Sequence, residues 1–257
     1  MNNITHQVRD IIVLLIIALP PFLYLYRYIH ENVDSTVLQI ITYLLYWVGT
    51  ISLANLVPSI TVLFLIIESR QEKADTREDA SEYENKRFKL NYSDDKWKFS
   101  IKTFIYISLI SIVLKVLISV LNYLVIILIE NFTKVNLQNQ EVVNEFLQAN
   151  IWLSIFYFII IVFCAPIVEE FVFRYWIYDR VLKSKLNYIW SAVLSSLLFM
   201  IAHFNIQGAF AFFLVGVTNC YLYEKKGYWA AVANHFMFNF STAIILISLK
   251  VFDVPII

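Results

Sequence analysis

The chain has 257 residues, 60% of them hydrophobic and only 16% charged, and its 20 basic and 20 acidic side chains cancel to a formal net charge of zero. A composition this apolar excludes an ordinary soluble domain. With no basic stripe and no glycine-rich phosphate loop, it also excludes nucleic acid and nucleotides as partners. What remains is an all-α polytopic transmembrane bundle, since several windows exceed the ~18 uncharged residues that mark a spanning helix.

Uncharged apolar runs predict spans near 11–29, 36–67, 103–129, 151–178, 189–206, 209–223 and 229–249. The first follows Asp10, holds Pro20 and Pro21 and lacks a small-residue cleavage site, so it is expected to be a retained span rather than a signal peptide. The second is too long for a hydrocarbon core of ~30 Å at ~1.5 Å per residue. It contains Pro58, so the count is seven spans if the run is one kinked helix and eight if it divides.

The polar segment 68–102 carries nine Lys/Arg and nine Asp/Glu, among them Glu82 and Lys86 at helical i,i+4 spacing, and reads as a solvated loop. Residues 130–150 read as a polar stretch with a surface helix that gathers Val143, Phe146 and Leu147 on one face. Cys164 and Cys220 lie in apolar runs and are expected to pack as small hydrophobes, while Gly216 is expected to let two helices approach closely. Tyr188, Trp190, Tyr228 and Trp229 read as an interfacial belt.

With the N-terminus in the cytosol, fifteen Lys and Arg fall on inner segments and three on outer ones, which satisfies the positive-inside rule. The expected organisation is a set of N-terminal spans over 1–149, with a cytosolic polar loop at 68–102, followed by a C-terminal four-helix core over 150–250. Usage rich in Ile, Asn and Lys hints at an AT-rich bacterial source and hence a bacterial cytoplasmic membrane.

Ionisable groups at membrane depth cost several kcal/mol unless paired or facing water, so each marks a site. In "EEFVFR", Glu170 and Arg174 stand at i,i+4 with the acid on the N-terminal side, the favoured pairing geometry. Glu169 is rotated by about 100° around the helix and has no partner there. "FMIAH" puts His203 late in one span, and "HFMFN" puts His235 and Asn239 one turn apart on another. Counted from the inner ends of their spans, Glu169 and His203 lie about 16 and 21 Å deep and His235 and Asn239 about 9 and 15 Å. All four could line one wet cavity.

Lys115 also interrupts a span; it either snorkels or meets an acid or a substrate carboxylate in that cavity. Gln207, four residues after His203, either holds its tautomer or caps the helix.

A carboxylate and an imidazole around one water make a general-base pair that can take its proton as it attacks a carbonyl. His235 and Asn239, side by side, suit the donor set for a tetrahedral oxyanion. No serine or cysteine nucleophile is required.

"EEFVFR", "FMIAH" and "HFMFN" resemble, in order and spacing, the EExxxR, FxxxH and HxxxN signatures of the CPBP (Abi) family, which comprises CAAX prenyl endopeptidases and bacteriocin-processing enzymes. The resemblance covers roughly residues 150 to 245. It implies an intramembrane protease in which Glu169 and His203 activate water, His235 and Asn239 form the oxyanion hole, and Glu170 and Arg174 support them. Its substrate would be a membrane peptide or a lipidated C-terminus.

Family names also invoke a metal. Glu169, His203 and His235 would supply a zinc set with an open position, but no HExxH helix is present, so no cofactor is assigned. Two other readings stand beside the enzyme: a non-catalytic bacteriocin immunity or scaffold protein of the same family, and a transporter or proton relay.

Overall fold

The computed structural model describes residues 2–75, 94–134 and 141–252, which form helices and no strand. We number the helices α1 (Asn2–Asn32), α2 (Thr36–Leu53), α3 (Leu56–Asp75), α4 (Ile101–Thr133), α5 (Glu141–Gln148), α6 (Ile151–Leu182), α7 (Tyr188–Ala202), α8 (Ala209–Lys226) and α9 (Tyr228–Val251); a single 3-10 turn, Asp94–Trp97, precedes α4. Five are long and apolar enough to cross a membrane, namely α1 from Val8, α2, α4, α6 and α9, and shorter apolar helices lie at Leu56–Ser69 and Tyr188–Ala202. The chain is an integral membrane protein with an all-helical, polytopic architecture. The Glu82–Lys86 pair lies outside the described residues.

The long second run is two helices. The chain turns at Ala54, whose φ is 50°, and restarts at Leu56. Pro58 falls in the first turn of α3, where a missing N–H leaves no helical bond unmade, so the proline begins a helix instead of kinking one. The other departures are α7, which at 15 residues is shorter than the span expected over 189–206, and α8, expected to span over 209–223. Helix α8 is not among the helices apolar enough to cross, because Thr218, Asn219, Glu224, Lys225 and Lys226 dilute it. Of these, Asn219 is completely buried beside Cys220 and Tyr223, Thr218 and Glu224 are partly buried, and Lys225 and Lys226 are exposed.

The interior lies among α3, α6, α7, α8 and α9. One cluster joins Val62 and Leu65 to Trp97, Phe171, Tyr175 and Tyr228, and a second joins Val168 and Val172 to Phe199, Val215 and Phe238. Close approach of α7 and α8 depends on small residues, as anticipated for Gly216. A Cβ there would stand 2.7 Å from Ser196 Cβ and 3.0 Å from its Cα, inside contact distance. Cys164 and Cys220 are both buried free thiols.

Helix α6 departs from α geometry twice, at Ile160–Cys164 and Phe171–Leu182, where the bonding is of the wider π type. The first has a legible cause. The Ala165 N–H bonds to Ile160 O, five residues back, and Pro166 has no N–H to offer Ile161 O in the same register. A carbonyl is thereby freed inside the membrane, where it must find another donor.

Helix α9 starts at Tyr228, one residue before its expected start, and does so under protein cover. Gly227 ends α8 at φ 87°, and a Cβ there would also collide with the Lys96 carbonyl. Tyr228 is buried, stacks on Trp97 at 4.7 Å and donates its hydroxyl proton to Ile167 O. Tyr228 therefore holds the core instead of joining a belt, and Trp229 packs partly buried against Phe99. Tyr188 and Trp190 remain exposed. Beyond this end of the bundle, Lys96, Asp179, Lys183 and Glu224 form an ionic cluster, with Lys183 Nζ 2.9 Å and Lys96 Nζ 3.3 Å from Glu224 Oε2.

At the opposite end, α5 lays Phe146 into the protein, with Val143 and Leu147 half-buried, as the surface-helix reading anticipates. Lys250 of α9 donates to Phe146 O, Ala149 O and the Ser154 hydroxyl, neutralising the carbonyl end of α5.

Candidate active site

Glu169 and Glu170 are neighbours with separate environments. Glu170 is wholly buried, and its Oε2 lies 3.0 Å from Arg174 Nε within α6. The guanidinium, also wholly buried, sits over the Phe199 ring at 4.6 Å. The other Glu170 oxygen accepts from Asn219 Nδ2 at 2.8 Å and from His235 Nδ1 at 2.7 Å. The amide chain continues outward. Asn234 Nδ2 donates to Asn219 Oδ1 at 2.7 Å, and the Ser111 hydroxyl of α4 donates to Asn234 Oδ1 at 2.6 Å. The amide side of this network is hydrogen-bonded throughout, whereas Glu170 Oε2 and the three Arg174 nitrogens meet as an ion pair and have no hydrogen-bond partner among the described residues.

Asn219, Asn234 and Ser111 were not anticipated as part of the site. The signal was there: amides inside apolar helices at membrane depth, which need partners for the same reason as charges do.

Glu169 faces the other way. Its Oε2 is buried with no hydrogen-bond partner among the described residues, and it lies 3.8 Å from His203 Nε2 and 3.8 Å from His235 Nε2. The tautomers follow from the opposite ring nitrogens. His203 Nδ1 lies 2.8 Å from Phe199 O, which can only accept, so that nitrogen carries the proton. His235 Nδ1 meets a carboxylate and donates likewise. Both Nε2 atoms therefore turn a lone pair toward Glu169 when the rings are neutral. Three acceptors around one small space leave room and need for a proton donor such as water, which brings two.

The imidazole of His203 is clamped by a stacked Phe212 ring at 4.1 Å. Gln207 plays no part in setting its tautomer, which Phe199 O fixes; the Gln207 carbonyl instead accepts from Asn122.

Asn239 lies one turn beyond His235, and its Nδ2 donates at 2.8 Å to Ile161 O, the carbonyl that Pro166 leaves without a helical partner. One of its two amide protons is thus committed to α6 and one remains. His203, His235 and Asn239 line a single cavity of about 240 Å³ together with Lys115. The structure thus brings Glu169, His203 and His235 around one point, places Asn239 on the same cavity, and keeps Glu170 and Arg174 behind the imidazole of His235.

The chemistry of two imidazoles and a carboxylate suits zinc. Among the described residues, however, no three His, Cys, Asp or Glu side chains are grouped so as to hold a metal ion. Glu169 Oε2 stands 3.8 Å from each Nε2, wider than donors sharing one tetrahedral zinc with bonds of about 2.1 Å, and no step below passes through a metal.

Residues 151–241 match the family model described as type II CAAX prenyl endopeptidase Rce1-like. This region is of the CPBP family. No curated protein and no solved structure matches the chain. The CPBP region begins at the first turn of α6 and ends in α9, so it contains Glu169, Glu170, Arg174, His203, His235, Asn239, Asn219 and Asn234. The family is one of proteases. Lys115 and Ser111, both on α4, lie outside it.

Proposed function

We propose that the protein is an intramembrane endopeptidase that hydrolyses a peptide bond of a membrane-associated peptide or lipidated C-terminus, with catalysis in the core over 150–250. The observation that carries this reading is the unpartnered Glu169 Oε2 at equal distance from two imidazole Nε2 atoms beside a cavity. A water held there by Glu169 and His203 gives its proton to Glu169 as its oxygen attacks the carbonyl carbon. The resulting oxyanion is met by the spare N–H of Asn239 and by Nε2 of His235 when that nitrogen is protonated, a charge compensated by Glu170 behind the ring. Collapse breaks the C–N bond, and Glu169 returns the proton to the leaving amine. Water and amide become acid and amine with no covalent intermediate.

The distribution of Lys and Arg supports an N-terminus in the cytosol, and the Ile-, Asn- and Lys-rich usage supports a bacterial cytoplasmic membrane and a plain peptide substrate over a prenylated one.

Full-length protein in lipid nanodiscs, incubated with a membrane peptide and followed by mass spectrometry, tests the reading. Glu169→Gln keeps the shape and removes the base, and it is expected to slow cleavage by at least 10²-fold, the lower end of the range for general bases. Cleavage at the parent rate would remove Glu169 from the mechanism. Prolonged chelation is expected to leave the rate intact; loss restored by added zinc would overturn the metal-free step.

A further inference from the structure

Lys115 is the feature that this mechanism does not use. It interrupts α4, a helix that otherwise turns Leu109, Val113, Val116 and Leu117 outward. Snorkelling would send the ammonium along the helix toward a membrane surface. Instead it points across to α9. Nζ donates to Phe238 O at 3.1 Å and to the Thr242 hydroxyl, and it stands 5.2 Å from the centre of the Phe238 ring. Every one of these partners is neutral, and among the described residues Lys115 forms no ion pair. An ammonium taken out of water with only neutral acceptors is unfavourable by several kcal/mol, and a counter-charge is what would offset it.

The position of the cation says where that counter-charge would come from. Lys115 lines the same cavity as His203, His235 and Asn239, and no acidic residue lines it with them. The rest of the wall is largely apolar, with Phe158, Val215 and Leu246 among its members. An apolar chain segment carrying one negative charge is complementary to such a cavity. Thr242, which holds the ammonium, is seven residues beyond His235 on α9. That is a rise of about 10 Å, the reach of about three extended residues.

We propose that Lys115 is a substrate-binding residue that captures a carboxylate close to the scissile bond, with the ammonium exchanging part of its contact with α9 for the anion. The proposal rests on the protease reading for the meaning of "scissile" alone; the anion site itself does not need turnover. Two sources share this chemistry: a free chain terminus and an acidic side chain.

Binding is measured on full-length Glu169→Gln protein in nanodiscs, so that no probe is consumed. The probes are a dansylated apolar pentapeptide with a free C-terminal carboxylate, the same peptide as its carboxamide, and a carboxamide ending in aspartate. The free acid is expected to bind about tenfold to a hundredfold more tightly than the plain carboxamide, the value of a hydrogen bond to a charged partner. With Lys115→Met added, that ratio falls to about one; with Lys115→Arg it stays well above one.

A purely structural lysine would lower both affinities together and keep the ratio. A ratio near one in the Glu169→Gln protein overturns the proposal however the lysine variants fold, as does an unchanged ratio in Lys115→Met. If the aspartate peptide binds as the free acid does, the carboxylate of a side chain suffices; if it binds as the plain carboxamide does, the site takes a chain terminus. Selective binding by a protein that cleaves nothing would retain the anion site and remove the protease reading. Cleavage with no selectivity would do the reverse.

Discussion

Helices α4 and α9 run side by side and are built from the same apolar alphabet, yet they do opposite things. In the most apolar window of α4, 6% of residues are buried, against 44% in that of α9. Helix α4 meets the protein through Ile107, Ser111 and Ile118, with Lys115 between them, and turns the rest outward. Helix α9 buries Asn234, His235 and a run of alanines among its neighbours. The same contrast holds between α1–α4 and α6–α9 as groups. Where polar groups are few, apolar surface is left for lipid; where they are many, helices close around them, because an amide or charge facing hydrocarbon has no other source of partners.

Two ion pairs of identical i,i+4 spacing put this contrast to its strongest test. Glu170 and Arg174 are both inaccessible, whereas Arg27 and Glu31 in α1, 2.9 Å apart, have side chains 64% and 27% exposed. Arg174→Met leaves Glu170 as a buried charge without its counter-ion and should destabilise by about 3–5 kcal/mol. Arg27→Met should change stability by less than about 1 kcal/mol. Thermal unfolding in detergent, read on both variants, checks the pair, and comparable losses would show that the two halves are not distinguished by burial.

A smaller effect is expected one step along the network. Asn219→Ala removes one of the two hydrogen bonds to Glu170 Oε1, leaving that from His235, and deprives the Asn234 Nδ2 amide of its acceptor, each buried. The expected loss is about 1–3 kcal/mol. Because Glu170 orients His235, turnover should fall more than the affinity for peptide does. A variant that loses stability alone would make this network a structural one.

These comparisons also show what the amino-acid order could and could not reveal. Glu169, Glu170, Arg174, His203 and His235 stood out because each is expensive at membrane depth, and the i,i+4 rule separated the paired glutamate from its neighbour. The bond from Asn239 to Ile161 was not legible, because it depends on a π turn whose only trace is Pro166. The division of the second run was one of two outcomes expected from its length and Pro58, but its place was not legible, because nothing at an Ala-Asn step marks a positive φ at Ala54. Trp97, arriving from a distant polar segment, covers Tyr228 and takes it out of the expected interfacial belt. Local periodicity cannot report such long-range burial.

The smallest expected effect lies where the bundle meets water and the contrast fades. Burial alone would raise the Glu224 carboxyl, but its hydrogen bond to Lys183 and the charge of Lys96 outweigh this and hold it below the usual carboxylate range. The sign follows from linkage. A group depressed in the folded state stabilises fully above its ordinary value of about 4.3 and loses that contribution as pH falls through the lower folded value. Glu224→Gln should therefore lower the melting temperature at pH 7 by no more than the 2–4 °C that about 1 kcal/mol represents for a chain of this size. The gap between variant and parent should close as the solution is acidified past the carboxylate range, and close also in high salt, since the cluster is partly open to solvent. A gap that persisted at low pH would mean that Glu224 acts by packing against Tyr178, its other hydrogen-bond partner, and not by charge.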